Sequence, residues 1–494
     1  MSDVVKTHKD KIDIKKEYQT IRNFGASDCW SMQKIGAWSP KNRERVAELL
    51  FSKYHGIGLS CWRFNFGGGL NDKIHHPWRT AETFEVAEGQ YDWNHQANEQ
   101  WFLRAAKRYG VNEFVAFVNS PPRRLTANNL TGCSPDGNST NLKKGYEGQF
   151  ARYICDILSH FENHPNEESR IHFDYISPIN EPEHEWNGGG QEGCRYAIAD
   201  IKAVVKELHK ELRRQGLTTK ILSPEAGSPR TMCGECEWMS EKFGTKYGDY
   251  IDELCSDPEM AECLSKQICY HAYWADNAET NRIVEAREVM RKKMDKYPDW
   301  ELHQTEYCVM AGPHSLGPEA GGFGRDLSMI TALWVSRVMH YDMSVANANA
   351  WQWWTSFSPE DYKDGLIHTD YFKEGDPESI IVPKLLWTFG NFSRFVRPGA
   401  KRVELTGDGH DRYGLLGSAY KDEAEKKIVA VYLNMADIRA QVKLNIAGAK
   451  IKAWSPFVTS FMRDDNLKQY PDIAAGEEIT IPARAVVTLI ANYE

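Results

Sequence analysis

Between residues 23 and 394, two hydrophobic patterns take turns along the chain. One is an alternating or continuous apolar run of five to ten residues, which suits a strand. The other repeats every three or four residues, which suits an amphipathic helix. Strand-like runs fall at 23–30, 58–67, 112–122, 173–182, 220–225, 267–274, 301–308 and 348–354. Helical patterns fall between them at 40–50, with Ser39 as its cap, and at 96–109, 147–161, 277–295, 325–342 and 382–393. The clearest helix carries Ile198, Ile201, Val204, Val205, Leu208 and Leu212 at helical spacing, and Gly216 stops it. Eight strands alternating with helices predict an α/β chain folded as a (β/α)8 TIM barrel over residues 23–394.

After Pro398 the pattern changes. Short runs at 415–420, 428–433, 442–446, 479–481 and 486–490 are separated by turn residues and show no helical period. They predict a side β-sandwich domain over 395–494. Residues 1–22 also contain an alternating stretch that the barrel has no place for. These N-terminal strands are expected to complete the sandwich and bring the two chain ends together.

Composition narrows the class of function. The 494 residues carry 60 Lys and Arg against 69 Asp and Glu, a net charge of −9, and no basic run is interleaved with aromatics. That speaks against a nucleic-acid partner. No apolar run approaches the roughly 18 residues of a membrane span. The polar opening Met-Ser-Asp-Val-Val-Lys is no signal peptide. The sequence as given therefore reads as cytoplasmic, or as secreted or periplasmic if a signal was trimmed.

The eleven cysteines are an odd number, and Cys61, Cys269 and Cys308 sit in apolar runs that suit buried thiols. Cys233 and Cys236 form a C-x-x-C, but Cys255 and Cys263 are spaced too widely for a zinc ribbon. Structural zinc, a local disulfide and free thiols all remain open for this group. Gly67-Gly68-Gly69 lacks the Lys-Ser/Thr of a phosphate loop, so no nucleotide cofactor is expected.

The chemistry gathers at the predicted strand ends. Asp28, Arg63, Asn119, Asn180, Glu181, Glu225, His271, Tyr273, Glu306 and Trp351 or Trp353 all lie there. A rim built for stability alone would be apolar, whereas this set describes a pocket for a polyhydroxylated ligand. The 16 Trp and 22 Tyr include candidates to stack on sugar rings, although most such residues are core. Pro182 cannot donate to a ladder and is expected to end the fourth strand at Glu181. Glu306 ends the seventh, on the opposing arc of the rim. Two facing carboxyls suit glycoside cleavage: one protonates the departing oxygen, while the other attacks the anomeric carbon or activates water. A separation of about 5–5.5 Å gives retention, and a wider one inversion.

Two alternatives remain. A non-catalytic barrel would bind sugar without turnover. A metal-dependent hydrolase would use His271 and His303, but no H-E-x-x-H spacing supports it. No metal or other cofactor is expected.

At these residues the chain resembles glycoside hydrolase family 30, (β/α)8 retaining glycosidases. The matching pieces are Phe24-Gly25-Ala26-Ser27-Asp28, Trp62-Arg63, Ser177-Pro178-Ile179-Asn180-Glu181-Pro182 and His271-Ala272-Tyr273-Trp274. Thr305-Glu306-Tyr307, Trp351-Gln352-Trp353 and the run from Phe389 to Gly399 extend the likeness over nearly the whole chain. The resemblance implies Glu181 as acid/base and Glu306 as nucleophile. It implies Asn180 on the sugar 2-hydroxyl, Arg63 supporting the nucleophile with Tyr273 or His271 beside it, and strand-eight tryptophans as a stacking floor. Asn119-Ser120-Pro121-Pro122 and Gly190-Gln191-Glu192-Gly193-Cys194 look most like the endo-β-1,6-galactanase branch. The expected reaction is thus retaining hydrolysis of a β-1,6-galactan-type carbohydrate, with β-1,6-glucanase, xylanase or exo-acting specificity as alternatives. Arg123-Arg124 departs from that branch, which usually has an aromatic or Met there. The pair either meets an acidic sugar or forms a solvated or ion-paired loop. Loops 67–95, 120–146, 183–193, 226–240 and 310–324 are expected to shape the subsites.

Overall fold

The structure, a computed structural model, describes residues 6–132, 137–310, 323–370 and 377–494. Cys133 and parts of the 120–146 and 310–324 loops lie outside them. One parallel sheet runs in the order Lys220–Ile221, Tyr175–Ser177, Glu113–Phe117, Cys61–Asn65, Asn23–Ser27, Ala350–Ser358, Glu301–Glu306, Gln267–His271 and Pro224–Ala226. Its two ends are halves of one segment. Leu222 N–H donates to Ile176 O (2.9 Å) and Cys269 N–H to Ser223 O (3.3 Å), so residues 220–226 close the barrel. Cys61, Val115, Tyr175, Leu222 and Cys269, from five neighbouring strands, form a small separate cluster. They fill the barrel interior below the rim. The main core lies between the sheet and the surrounding helices.

The helices follow the predicted periodicity, from Pro40–Phe51 to Lys384–Ser393. Gly216 ends Ile198–Gln215 in the left-handed region (φ 70°), where a residue with a Cβ is strained. Ser39 precedes its helix but makes no side-chain cap; its hydroxyl donates to Glu378. The fourth barrel strand ends at Ser177, four residues short of the expected end at Glu181. Pro178 has already removed the next ladder donor. The fifth strand is split at Leu222–Ser223, and four short helices fill 229–263 after it. Their lengths fall below what hydrophobic periodicity resolves.

The second sheet holds the Thr7–Thr20 strand and the strands after residue 400. Thr7–Thr20 pairs antiparallel with Lys401–Gly407 and parallel with Ala440–Ala447. It curls around its own core, which includes Ile12, Val403, Tyr432, Trp454 and Leu489. Lys401–Gly407 and Ala453–Ser460 are strands that the apolar pattern did not reveal. Asn391, on the last barrel helix, donates to Thr488 Oγ1 (2.9 Å), and that hydroxyl donates back to Asn391 O (2.7 Å). This exchange fastens the sheet to the barrel. All ten described cysteines are free thiols, Cys233 and Cys236 among them. Among the described residues, no helix is long and apolar enough to cross a membrane.

Ile12 is fully buried between Leu405 and Ile446 of the flanking strands. Ile12→Ala is expected to cost about 2–5 kcal/mol of unfolding free energy by chemical denaturation, because the cavity it leaves cannot fully collapse.

Candidate active site

Glu181 is delivered by a turn beyond the fourth strand, whereas Glu225 sits within the short strand Pro224–Ala226 at an irregularity in its pairing. Glu181 (φ 42°) and Glu225 (φ 59°) both occupy the left-handed region, which a residue with a Cβ adopts only when its surroundings hold it there. Glu181 N–H donates to Glu225 O at 2.9 Å, which ties the turn to the strand. Gly227 N–H donates to Glu183 Oε1 at 2.8 Å, and Tyr250 reaches the other Glu183 oxygen at 3.3 Å. Trp186 Nε1 donates to Glu181 O at 3.2 Å. A Cβ on Gly193 would lie 2.3 Å from that indole, which accounts for glycine in the Gly190–Cys194 run.

Glu181, Glu306 and His271 converge. One oxygen from each carboxylate and one ring nitrogen of His271 lie within 4.8 Å of one another. His271 is fully buried. Its Nδ1 lies 3.0 Å from Glu181 Oε1 and 3.5 Å from Glu306 Oε1, and its Nε2 lies 3.0 Å from Glu225 Oε2. Arg63, also fully buried, donates to Glu306 Oε2 (2.6 Å) and Asn180 Oδ1 (3.3 Å) and stands 3.6 Å from Glu225 Oε1. Tyr273 donates to Glu306 Oε1 at 3.1 Å. Ser177 and Thr305 hydroxyls donate to the two Glu225 oxygens.

Burial works against the charged form of both cations. For His271, Glu306 and the ring's hydrogen bonds to Glu181 and Glu225 outweigh burial and lift the ring to about 10. For Arg63, Glu225 and Glu306 outweigh it. Burial pushes Glu225 up, but Arg63, His271 and Ser177 pull it down to about 2. Burial holds Glu306 above its usual value against the pull of His271 and Arg63, and the Glu181 charge adds to that rise.

The same three residues have the donor types of a metal site. A metal, however, needs a neutral imidazole with a free lone pair. In His271 both nitrogens face carboxyl groups at 3.0 Å, and the raised value favours a proton on each. His303 lies elsewhere, buried, with Nε2 at 3.4 Å from Glu301.

The other residues predicted for the site are spread over different depths. Asp28 and Asn119 lie in a buried polar layer with Asn65 and Glu192. Asp28 Oδ1 accepts from Asn65 N–H (3.0 Å), and Glu192 Oε1 accepts from Trp30 (2.9 Å), Asn65 (3.2 Å) and Asn119 (3.4 Å). Burial pushes Asp28 well up and Glu192 to about 7. Trp351 and Trp353 are fully buried, and their indoles donate to Asp342 (2.9 Å) and to Asp364 O (2.6 Å). The next residue, Trp354, borders the cleft instead, with Trp186, Trp274, Arg79, Gln191 and Tyr362. Their cleft of about 150 Å³ opens onto Glu181, Tyr273 and Glu306. Trp354 was hidden because an unbroken aromatic run does not show which face of the strand turns outward. Arg124 forms a two-pronged ion pair with Glu85 (2.7 and 2.9 Å). Arg123 donates to the backbone of Leu70 and Asn129. Neither lines this cleft.

The sequence model of a family described as O-glycosyl hydrolase family 30 matches residues 7–368. An endo-β-1,6-galactanase from Hypocrea rufa is 27% identical over 242 residues, which cover 43% of this chain and 48% of that protein. The chain thus spans about half the length of the curated relative it matches. Among solved structures, a conserved exported protein from Bacteroides fragilis is 29% identical, with a TM-score of 0.84 over 98% of this chain and 100% of that one. The catalytic domain of a xylanase C from Talaromyces cellulolyticus is 19% identical, with a TM-score of 0.71 over 98% and 100%. This second likeness concerns the fold.

The Glu225–His271 contact has a testable consequence. Relative to 6.5 in the open chain, the raised His271 value makes its contribution to stability complete below pH 6.5 and lost as pH rises through about 10. The lowered Glu225 value works the other way: its contribution is present above 4.5 and lost as pH falls toward about 2. Glu225→Gln is expected to lower the His271 titration, followed by imidazole NMR, by at least about one pH unit. An unshifted His271 would show that Glu225 does not hold its proton.

Proposed function

This chain belongs to O-glycosyl hydrolase family 30, and we propose that it hydrolyses β-glycosidic bonds with retention, using Glu306 as nucleophile and Glu181 as acid/base. The carrying observation is the approach of these carboxylates to within 4.8 Å at the mouth of the cleft. That closeness supports direct attack, because inversion needs a gap of about 6.5–9.5 Å to admit water.

Charge balance asks for one proton among the carboxyls. Arg63 and His271 carry two positive charges among three carboxyls, so one proton on a carboxyl makes the cluster neutral. Glu225, at about 2, does not hold it. Glu306 already accepts from Arg63 and Tyr273. The proposed reaction requires that proton on Glu181, the residue that must give it to the departing oxygen. In the first step Glu306 forms a bond to the anomeric carbon as the glycosidic bond breaks, and Glu181 gives its proton to the departing oxygen. In the second, Glu181 takes a proton from water, the water oxygen bonds to the anomeric carbon, and Glu306 leaves as carboxylate. Asn180 turns its Oδ1 to Arg63, which frees the amide N–H for the sugar 2-hydroxyl. Trp354 and Trp186 supply stacking surface, and the stacking role moves from Trp351 and Trp353 to them.

For the substrate we favour a β-1,6-galactan-type chain. The galactanase relative and the Gly190–Cys194 run support it. Side-by-side digestion of β-1,6-galactan, β-1,6-glucan and glucuronoxylan, with products sized by chromatography, tests this choice. Dominant release from either of the other two would replace it.

Glu306→Gln is expected to lose at least about 10³-fold in kcat on any substrate cleaved, since no covalent intermediate forms. Full activity would remove Glu306 from the chemistry. Glu181→Ala is expected to lose roughly 10²–10⁴-fold on glycans but far less on dinitrophenyl glycosides, whose leaving group needs no proton. Equal losses on both would argue against an acid role for Glu181.

A further inference from the structure

Beside the catalytic cleft lies a larger cavity of about 540 Å³. The short helix Pro229–Cys233 bounds one side and the outer face of Thr280–Met294 the other. Trp274 borders both this cavity and the cleft. It lies three residues past the end of the sixth strand, holds a left-handed backbone (φ 54°), and leaves 49% of its surface open to solvent. A large indole held outward in a strained conformation does not serve the core.

The remaining lining carries both donors and acceptors. Among the described residues, the side chains of Arg230, Arg282 and Glu285 engage no hydrogen bond or ion pair. Asn277 and Asp276 add an amide and a carboxyl, and Asp276 accepts from Tyr307 at 2.8 Å. Two guanidiniums stand against two carboxyls, so the wall selects neither an anion nor a cation. An aromatic face ringed by balanced donors and acceptors fits hydroxyl groups on an uncharged ring.

We propose that this cavity is an extended subsite for further neutral sugar units of the same glycan whose scissile bond lies at Glu181 and Glu306, with Trp274 as the wall shared by the two compartments. The proposal rests on the glycosidase reading above. Contacts to sugars remote from the reacting carbon help to orient it, so longer chains turn over faster when the cavity is filled.

The test uses three ladders of two to six units: β-1,6-galacto-, β-1,6-gluco- and β-1,4-xylo-oligosaccharides. kcat/KM is measured for wild type, Ala286→Trp and Arg282→Ala on the ladder that wild type cleaves best. Ala286 lines the cavity and not the cleft, so a tryptophan there fills the space. Wild-type kcat/KM is expected to climb with length. Ala286→Trp is expected to remove about tenfold on the longest members while leaving the shortest cleaved member unchanged, and Arg282→Ala to remove less. Rates independent of length, or an Ala286→Trp profile matching wild type, would overturn the subsite but leave the catalytic assignment standing. An equal loss at every length would mark a general structural defect and likewise overturn the subsite. No cleavage of any ladder by wild type would remove the glycosidase reading and the subsite with it.

Discussion

The site depends on one buried imidazolium. His271 has no access to solvent, yet carboxylates at both of its nitrogens hold it charged. Moving a charge into a protein interior is costly, and the cost is offset only when partners and hydrogen bonds are complete. Here they are. Glu225 receives Ser177, Thr305 and His271, and Arg63 supplies the second cation. In the proposed reaction, such a preset arrangement needs little reorganisation as charge moves between Glu181 and Glu306.

The same network shapes the backbone. Residues 220–226 close the barrel and break their strand midway. The break aims Glu225 inward and offers its carbonyl to the N–H of Glu181. Barrel closure, the turn that presents Glu181 and the charge state of His271 are thus parts of one arrangement. Disturbing Glu225 reaches all three, although its side chain is sealed from the cleft.

Depth separates the residues at the rim. Glu181, Tyr273 and Glu306 face the cleft, Arg63 and Glu225 stand behind them, and Asp28 and Asn119 lie in a further polar layer. The tryptophans of the eighth strand divide in the same way: Trp351 and Trp353 are anchored in the core, while Trp354 reaches the opening. A strand alternates sides with each residue, so a shift of one position moves a ring from the sealed interior to the edge of the cleft.

Much of this was legible in the residues. Alternating strand and helix periods give the barrel, because a barrel repeats one local unit whose pattern is written within each segment. The loss of helical period after Pro398 marks the second sheet. Polar residues at the predicted strand ends single out Glu181, Glu306, Arg63 and His271, because burying such groups needs a reason. Other features were out of reach of local pattern: the end of the fourth strand at Ser177, the split fifth strand, the pairing of Arg124 with Glu85, and the outward turn of Trp354. Each is fixed by contacts between segments far apart along the chain. Periodicity reports how one segment meets solvent and core. The meeting of Glu181, Glu225, His271 and Glu306 depends instead on how four strands are placed side by side, and only the closed barrel sets those distances.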